Sequence, residues 1–314
     1  MKVETRLGPE SAGLILEGGG MRGIYTAGVL RCFMDHGLWF PYVIGVSMGA
    51  CNGANYLARQ PERNRIVNTR FVNDPRFLSY RRLLTGGGLF GMDFIFHDIP
   101  FQLVPFDLDA FLAADEKFWL AAADCESGEA VYYEKNEMGL EFLTVLRAGC
   151  SLPLVQKYVE FGGRKLLDGG LADSVPLGKS LADGNRKNVL VLTQPRGYRK
   201  KRSSAVRLVR WRYRRFPRLA DAFARRHIQY NETMDRIDLL EASGEVFVVR
   251  PSEPLPAGRT ERNKDRLYLA YDQGYTDMKT RFAALLEYLG LPNESGRMDP
   301  GRPKRERGPL ETDR

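Results

Sequence analysis

Two strand–turn–helix units follow one another near the N-terminus of this chain, and they constrain its fold more than any other feature. The first is GLILEGGGMRG (Gly13–Gly23), which opens the helix-like run Ile24–Phe33. The second is YVIGVSMGA (Tyr42–Ala50), which opens a helix of small residues. Each unit has a short apolar strand, a glycine turn and a helix N-terminus with free N–H donors. This βαβα order predicts an α/β layered fold with a mostly parallel sheet, in which functional groups gather at the carboxyl ends of the strands.

The composition is that of an ordinary globular protein, with 43% apolar and 27% charged residues in a chain of 314. No run of about 18 apolar residues is present, so we expect no membrane-spanning helix. The N-terminal sequence MKVETRLGPESAG lacks the apolar stretch of a secretory signal. Together these features predict a cytoplasmic protein, with peripheral membrane contact as the alternative.

The cysteines and histidines are too few and too scattered to predict a metal site. The four cysteines lie far apart with no C-x-x-C pair, which argues against zinc and against a disulfide framework. The three histidines, His36, His97 and His227, have no metal-ligand partner at the spacing of one helical turn. We therefore expect neither a metal ion nor another cofactor.

The remaining pattern predicts one domain over residues 1–291 and a disordered tail over residues 292–314, which are polar and contain glycine and proline. Residues 81–109 are rich in glycine, proline and aromatic residues, which is typical of a loop and short-helix segment that covers a site. Further strands are expected at 118–123 and 130–133, joined as a hairpin, and at 165–167, 188–192 and 246–249. Further helices are expected at 142–148 and 264–289.

Ser47 lies at the centre of the sequence Gly45-Val46-Ser47-Met48-Gly49, a G-x-S-x-G pattern placed where a strand turns into a helix. In a nucleophile elbow, the two glycines permit a sharp turn that exposes the serine side chain. The N-terminus of the following helix favours negative charge that develops beside it. A chance match is the alternative, because this pattern occurs in many unrelated sequences. We expect Ser47 to be a catalytic nucleophile.

The first glycine turn, GGGMRG, permits two functional interpretations. A G-x-G-x-x-G turn between a strand and a helix is also the dinucleotide fingerprint, but that function needs an acid at the end of the second strand, where this chain has Ser47. The other interpretation is an oxyanion hole made by consecutive glycine N–H groups, and one such donor lowers a barrier by roughly 3–4 kcal/mol. A packing turn without a catalytic role is the third possibility. Arg22 either faces an anionic substrate or braces the loop.

The general base is the decisive question, because a free serine hydroxyl is a weak nucleophile. A Ser–Asp–His order needs a histidine after the acid, and only His227, inside an arginine-rich stretch, follows Asp168. Asp168 comes after a short strand and before Gly169 and Gly170, so its carboxylate can itself act as the base if it reaches the serine. An ordinary Asp-Gly turn is the alternative, and Asp173 in the same loop is a competing acid.

The motifs EGGGMRG, GVSMG and DGG, in this order, resemble those of the patatin-like phospholipases, which are serine lipid acyl hydrolases. The resemblance spans roughly Gly13 to Leu192 and implies a three-layer α/β/α sandwich. It also implies a Ser–Asp dyad without histidine, in which Ser47 is the nucleophile and Asp168 is the general base. One departure is Glu17, at a position where the family often has aspartate. The expected oxyanion-hole residues are Gly18, Gly19, Gly20 and Met48, and the expected motif-supporting residues are Arg22, Gly23, Gly45, Gly49, Gly169 and Gly170.

Residues 196–227 are the compositional outlier, with thirteen lysines or arginines and a single acid, Asp221. Apolar residues at three- and four-residue steps predict an amphipathic helix, and Pro217 predicts that it breaks into two shorter helices. The segment either covers the core with a solvated basic face or contacts an anionic membrane surface through Arg196–Arg226.

The predicted function is hydrolysis of acyl esters of lipids, of the phospholipase A, lysophospholipase or esterase type, through an acyl-enzyme. The alternatives are a Ser-His-Asp esterase of the α/β-hydrolase type, and a non-enzymatic protein that binds nucleic acid or an anionic membrane through residues 196–226. No recognised DNA- or RNA-binding module accompanies the basic segment, so we do not expect nucleic-acid binding. The head group, the acyl length and the oligomeric state are not predicted.

Overall fold

The strands that precede the two glycine turns lie side by side in an eight-stranded central sheet. The structure is a computed structural model that describes residues 5–6 and 12–292. Nearly all of the tail predicted to be disordered, residues 293–314, lies outside the described residues. The described strands are β1 (Thr5–Arg6), β2 (Ala12–Leu16), β3 (Leu38–Trp39), β4 (Tyr42–Val46), β5 (Lys117–Asp124), β6 (Ala130–Glu134), β7 (Val159–Phe161), β8 (Arg164–Asp168), β9 (Lys187–Val191) and β10 (Val246–Val249).

The central sheet has the order β10-β9-β2-β4-β5-β8-β7, and β6 also pairs with β5. The strands from β10 to β5 run parallel to their neighbours, whereas β6, β7 and β8 are paired in the antiparallel sense. The expected mostly parallel sheet is confirmed, and so is the hairpin of β5 and β6. The sequence did not predict β7 or the small β1–β3 pair, because two or three residues are too few to give a periodic pattern.

Helices cover both faces of the sheet. Leu14 and Leu16 of β2 belong to one hydrophobic cluster, which includes side chains of the helices at 24–35, 48–57, 142–149 and 264–289. Ile15, between them, belongs to another cluster, which includes side chains of the helices at 177–182 and 217–242. Because neighbouring residues of a strand point to opposite faces, this alternation defines the expected three layers. The described α-helices are α1 (Ile24–Asp35), α2 (Met48–Leu57), α3 (Arg63–Arg70), α4 (Tyr80–Leu84), α5 (Leu108–Ala113), α6 (Lys135–Met138), α7 (Phe142–Gly149), α8 (Leu177–Ala182), α9 (Val206–Arg212), α10 (Pro217–Ala242) and α11 (Lys264–Leu289).

The segment 81–109 has the expected loop and short-helix character. It contains most of α4, a π-helix at Phe94–Leu103 and the start of α5. Phe94 and Ile99 are buried in a cluster that also contains side chains of α1 and α11. Part of this segment therefore packs against the first and last helices of the described chain.

The basic segment folds as two helices, and Pro217 is the first residue of the second, where its missing N–H is tolerated. The prediction that both helices are short was wrong, since α10 has 26 residues. Its apolar face extends to Tyr230, Met234 and Ile237, which pack against the sheet and continue the helix beyond the basic stretch. Among the described helices, none combines the length and the apolar character that crossing a bilayer requires.

Strands β4 and β8 meet along one edge of β5. β4 pairs with β5 as far as Val46, which lies opposite Ala121. β8 pairs with the next residues of β5 in the opposite sense, with Asp168 opposite Ala122. The other edge of β5 is occupied by β6 over the same stretch, so β4 and β8 share a single edge. Ser47, the residue after β4, therefore lies next to the last residue of β8.

Helices α1 and α11 cross with their backbones in contact. A Cβ atom added to Gly28 would lie 2.0 Å from the carbonyl oxygen of Tyr271, and one added to Gly274 would lie 2.1 Å from that of Tyr25. Only hydrogen fits between the two helices at these positions.

We expect Gly28→Ala and Gly274→Ala each to lower the free energy of unfolding by about 1–3 kcal/mol, because an overpacked contact forces the backbones apart. Gly178→Ala is the matched control, since Gly178 is exposed on α8 with open space around it. That substitution should leave stability unchanged or raise it by up to about 1 kcal/mol. Urea denaturation measures all three, and equal midpoints would contradict the close helix crossing.

Candidate active site

Ser47 stands at a strained turn between β4 and α2. Its backbone has φ 54° and ψ −126°, a conformation that residues with a side chain rarely adopt. A serine at a helix N-cap commonly accepts a hydrogen bond from the first turn, but the Ser47 side chain makes no capping bond. The turn therefore holds a hydroxyl that the helix does not use.

The two glycines of the elbow are required by close packing. A Cβ atom on Gly45 would lie 2.5 Å from Cα of Ala50, and one on Gly49 would lie 2.4 Å from the carbonyl oxygen of Leu16. Helix α2 therefore begins directly against the ends of β4 and β2.

The first glycine turn lies against the elbow. A Cβ atom on Gly18 would lie 3.1 Å from Cβ of Ser47, and one on Gly23 would lie 2.4 Å from Cγ of Met48. Gly20 has φ +59°, in the region that favours glycine. The residues predicted to form the oxyanion hole all line space that adjoins Ser47: Gly18, Gly19, Gly20 and Met48.

Glu17 fixes the start of this turn. It is only 3% exposed. Its carboxylate accepts the N–H of Thr193 (2.6 Å), the hydroxyl of Thr193 (3.0 Å) and the hydroxyl of Tyr230 (2.9 Å). Because Thr193 follows β9 and Tyr230 lies on α10, Glu17 ties the end of β2 to two distant parts of the chain.

Asp168 is the last residue of β8 and is 3% exposed. Its N–H donates to the carbonyl oxygen of Ser151 (2.9 Å), and its Oδ1 accepts the N–H of Gly170 (2.8 Å). A Cβ atom on Gly169 would lie 2.2 Å from the carbonyl oxygen of Ala121, so the turn after Asp168 presses directly on β5. The carboxylate is thus positioned by backbone contacts on both sides.

Burial raises the pKa of Asp168, and hydrogen bonding from the Ser47 hydroxyl and the Gly170 N–H opposes that rise. Oδ2 of Asp168 is buried without a hydrogen bond of ordinary geometry. The contact with the Ser47 hydroxyl is therefore looser than the contact with Gly170. Catalytic hydrogen bonds commonly tighten when substrate binds, so the pair can exchange a proton in the complex.

Two cavities meet at Ser47, and Gly20 also lines both of them. The apolar cavity has a volume of about 140 Å³, with walls from α2, α7 and the segment 81–109 that include Met48, Phe90, Ile95, Phe96, Phe101 and Leu146. The basic cavity has a volume of about 610 Å³ and contains Asp168 together with Arg22, Arg199, Lys200, Lys201, Arg226 and Arg259. The segment 81–109 thus forms part of the wall of the apolar cavity beside Ser47.

None of the three histidines, all of which the structure describes, lines either cavity. His36 contacts the carbonyl oxygen of Cys32 (2.8 Å), and His97 is exposed. His227 lies on α10 with a buried Nδ1 that has no partner among the described residues. Asp173, the competing acid, accepts the hydroxyl of Tyr132 (2.8 Å) outside both cavities. The structure thus brings Asp168, and neither a histidine nor Asp173, beside Ser47.

Comparison with known proteins identifies the family of this chain. A family model described as patatin-like phospholipase matches residues 14–179, which are more than half of the chain. The chain belongs to the patatin-like phospholipase family. A second family model, described as a domain of unknown function (DUF6363), matches residues 216–290.

Relatives of this patatin-like chain share parts of its length. An uncharacterized protein, YjjU of Escherichia coli K12, is 29% identical over 192 residues, which are 60% of this chain and 53% of that protein. Lysophospholipase NTE1 of Chaetomium globosum is 31% identical over 191 residues, which are 55% of this chain and 11% of that protein. The chain therefore spans about half of the first relative and about a tenth of the second. The crystal structure of VipD from Legionella pneumophila aligns over 88% of this chain and 68% of that one, at 12% identity and a TM-score of 0.46.

Arg22, for which the sequence left two roles open, lines the basic cavity of this patatin-like fold. Its Nη1 donates to the amide oxygen of Gln194 (2.5 Å) in the amide orientation that satisfies both side chains. Its Nε is buried without a partner among the described residues. Arg22 is therefore braced by Gln194 and also lines the basic cavity.

The sequence prediction missed Lys200 and Arg226, because it treated the whole basic segment as surface. Arg226 lies three residues after Phe223 and four before Tyr230, both of which are buried on α10. A charged residue at that spacing lies on the inward face of a helix, and this signal was present in the sequence. Lys200 lies in the loop after β9 and gives no periodic signal.

We expect Ser47→Gly to raise the free energy of unfolding by about 1 kcal/mol or more. Relief of about 1–3 kcal/mol of backbone strain exceeds the roughly 0.5–1 kcal/mol of chain entropy that glycine adds to the unfolded state. Ser47→Ala is the control, because it removes the hydroxyl and keeps the strained Cβ. Urea denaturation of both variants measures the difference; a Gly variant no more stable than the Ala variant would contradict strain at the elbow.

Proposed function

We propose that this chain hydrolyses acyl esters of lipids through a Ser47–Asp168 dyad and an acyl-enzyme. The observation that supports it most is the meeting of β4 and β8 on one edge of β5, which brings a serine at a strained elbow beside a buried carboxylate. Membership of the patatin-like phospholipase family supports the lipid substrate class, and the relative named as a lysophospholipase supports it further.

In the first half of the proposed reaction, Asp168 accepts the proton of the Ser47 hydroxyl while the serine oxygen attacks the ester carbonyl carbon. Burial raises the pKa of Asp168, which makes its carboxylate a stronger base than an exposed aspartate. The N–H groups of Gly18, Gly19 and Met48 are the proposed donors to the oxyanion, together with that of Gly20. Collapse of the tetrahedral intermediate breaks the ester C–O bond, and the alcohol leaves with the proton held by Asp168.

In the second half, water attacks the acyl-Ser47 ester, and Asp168 now takes the proton of that water. The same N–H donors hold the second oxyanion, and the Ser47 oxygen leaves with the proton from Asp168. Fixed N–H dipoles beside an apolar cavity stabilise charge far more than the same donors in water. The N-terminus of α2, at Ser47, adds to this stabilisation.

The apolar cavity is the proposed site of the acyl chain. It adjoins Ser47 and Met48, and its walls are mainly aliphatic and aromatic side chains. Burial of an acyl chain there aligns the ester carbonyl with the serine and excludes water from the first step.

The alternatives from the sequence have less support. A Ser-His-Asp esterase needs a histidine beside Ser47, and none of the chain's three histidines lines its cavities. A dinucleotide site needs an acid at the end of the second strand to hold the ribose, whereas β4 ends at Val46 and is followed by Ser47. Nucleic-acid binding is not favoured by any contact described above.

We expect Ser47→Ala and Asp168→Asn each to lower kcat for a lysophospholipid or a nitrophenyl ester by at least about 10³-fold, because each removes an essential member of one unit. A fluorophosphonate should label the wild type stoichiometrically at Ser47 and should not label Ser47→Ala. Both variants must show the wild-type circular dichroism spectrum.

His227→Ala is the control for this experiment, since a dyad does not need that residue. Retained activity in Asp168→Asn, or loss of activity in His227→Ala with an intact fold, would reject the dyad and favour a histidine-dependent mechanism.

We also propose that α9 contacts anionic membrane surfaces. The basic segment is not one surface: Arg196, Arg199 and Arg210 pair with acids of α10, and Lys200 and Arg226 line the basic cavity. The exposed basic surface is therefore smaller than the whole stretch Arg196–Arg226 that the sequence predicted.

The observation that favours membrane contact is the apolar and basic character of this exposed part. Leu208 is 51% exposed and Trp211 is 66% exposed. Arg207, Arg214 and Arg215 are exposed around them. Aromatic and aliphatic side chains among arginines are typical of helices that lie in the interface of anionic bilayers.

We expect the protein to co-sediment with phosphatidylglycerol-containing vesicles and to be released by salt. The double substitution Arg214→Gln/Arg215→Gln should weaken binding about fivefold per charge removed, from roughly 1 kcal/mol for each arginine near the surface. Arg236→Gln, on the exposed face of α10, is the matched control and should bind as the wild type does. Binding that depends on neither salt nor anionic lipid would reject the surface.

A further inference from the structure

The basic cavity gathers cations from parts of the chain that are far apart in sequence. Arg22 comes from the first glycine turn, inside residues 14–179, which match the patatin-like model. Lys200 comes from the loop after β9, which neither family model covers. Arg226 on α10 and Arg259 before α11 both come from residues 216–290, which match the domain of unknown function. Two of the four cations in the cavity beside Ser47 therefore come from the segment that matches the domain of unknown function.

These four positive charges are only partly offset by the nearby carboxylates of Glu17 and Asp168. None of them forms an ion pair with a carboxylate in the described part of the chain. The two carboxylates that line the cavity are Glu17 and Asp168. Six cations line it: these four, Lys201, and Arg199, which pairs with Asp235 and Asp238 of α10. Glu17 already accepts three hydrogen bonds, and Asp168 is held by Gly170 and Ser47.

The cations also have unused donors. Nε of Arg22 is buried without a partner among the described residues. The ammonium of Lys200 donates to the hydroxyl of Ser174 (3.3 Å), while its three N–H groups permit three bonds. Burial lowers the pKa of Arg22 and of Arg226. Burial, followed by repulsion from Arg226, lowers the pKa of Lys200 to about 7. An anion in this cavity would relieve the repulsion and receive these hydrogen bonds.

Cations of the chain already lie over two aromatic rings that line this cavity, Lys200 over Tyr230 and Arg226 over Phe223. Nζ of Lys200 lies 3.9 Å from the centre of the Tyr230 ring, and the edge-to-face neighbour of that ring is Tyr198, at 6.1 Å. A quaternary ammonium needs an open aromatic face, and that face is already occupied by Lys200. The acids that could hold an ammonium are already hydrogen-bonded or belong to the dyad.

We propose that the basic cavity binds a phosphomonoester head group carried by the ester substrate, and that Lys200, Arg226 and Arg259 select such anionic lipids over neutral and zwitterionic ones. A phosphomonoester has close to two negative charges and three acceptor oxygens, which suits several cations better than a carboxylate does. The cavity of about 610 Å³ has the size of an ordinary small-molecule site. The proposal rests on the proposed ester hydrolysis at Ser47, and it gives the segment 216–290 the role of head-group recognition.

The first arm of the test compares two substrates with the same acyl chain, 1-oleoyl lysophosphatidic acid and 1-oleoylglycerol. We expect the wild type to favour the phosphomonoester by at least tenfold in kcat/KM. Arg226→Gln and Lys200→Gln should each reduce this ratio at least fivefold. Arg225→Gln is the matched control, because Arg225 is the exposed neighbour on α10 and should leave the ratio unchanged. A wild-type ratio near one, or equal ratios in all variants, would overturn the proposal while leaving ester hydrolysis intact.

The second arm measures binding without hydrolysis, by calorimetry with glycerol 3-phosphate and with inorganic phosphate. At pH 8 a Lys200 whose pKa is about 7 is mostly neutral, so an arriving dianion should cause uptake of close to one proton. Heats measured in two buffers of different ionisation enthalpy give this number, and Lys200→Gln should abolish the uptake.

The two arms separate failure of the head-group site from failure of the proposed function. Glycerol 3-phosphate that binds with proton uptake, in a protein that hydrolyses neither ester, would reject the hydrolase and keep the anion site. Equal affinity for inorganic phosphate and for glycerol 3-phosphate, with no substrate preference, would indicate a site for free phosphate and overturn the head-group assignment. No binding of either probe would reject the site.

Discussion

One edge of β5 serves two strands, and the rest of the site depends on this sharing. β4 pairs with β5 as far as Ala121 and β8 pairs with it from Ala122 onward, so the chain must leave β5 abruptly after Val46. The positive φ of Ser47 and the close approach of Gly169 to Ala121 are the local results. Strain at Ser47 and crowding at Gly169 therefore have the same cause in the sheet topology. Both keep the side chains of Ser47 and Asp168 close together.

Burial of charge is the second constraint on this site, and it acts on groups of both signs. It raises the pKa of Asp168 and lowers that of Lys200 to about 7. Each group is shifted toward its neutral form by loss of solvent, and each responds to an opposite charge that arrives nearby. Glu17 is not proposed as a second base, because three hydrogen-bond donors hold its carboxylate. The site thus holds the proposed base Asp168, the hydrogen-bonded carboxylate of Glu17 and a set of cations in a small volume.

Local patterns in the sequence were enough for the strand and turn around Ser47 and for the helices that flank them. Glycine spacing and apolar runs act over a few residues, so they can be recognised without the fold. The partners of Glu17 could not be, since Thr193 and Tyr230 lie 176 and 213 residues away. Arg226 was misplaced because a count of charges hides its position on the buried side of α10. Contacts set by the tertiary fold, rather than by helix or strand period, account for what the sequence left out.

The crossing of α1 and α11 joins the two segments of the chain that match family models. α1 lies in the part matched by the patatin-like model and α11 in the part matched by the domain of unknown function. Their backbones touch at Gly28 and Gly274, with no side chain between them. A recombination event that exchanged either segment would have to supply a helix with glycine at the matching height. The contact therefore makes α1 and α11 parts of one packing unit, although they fall in different family matches.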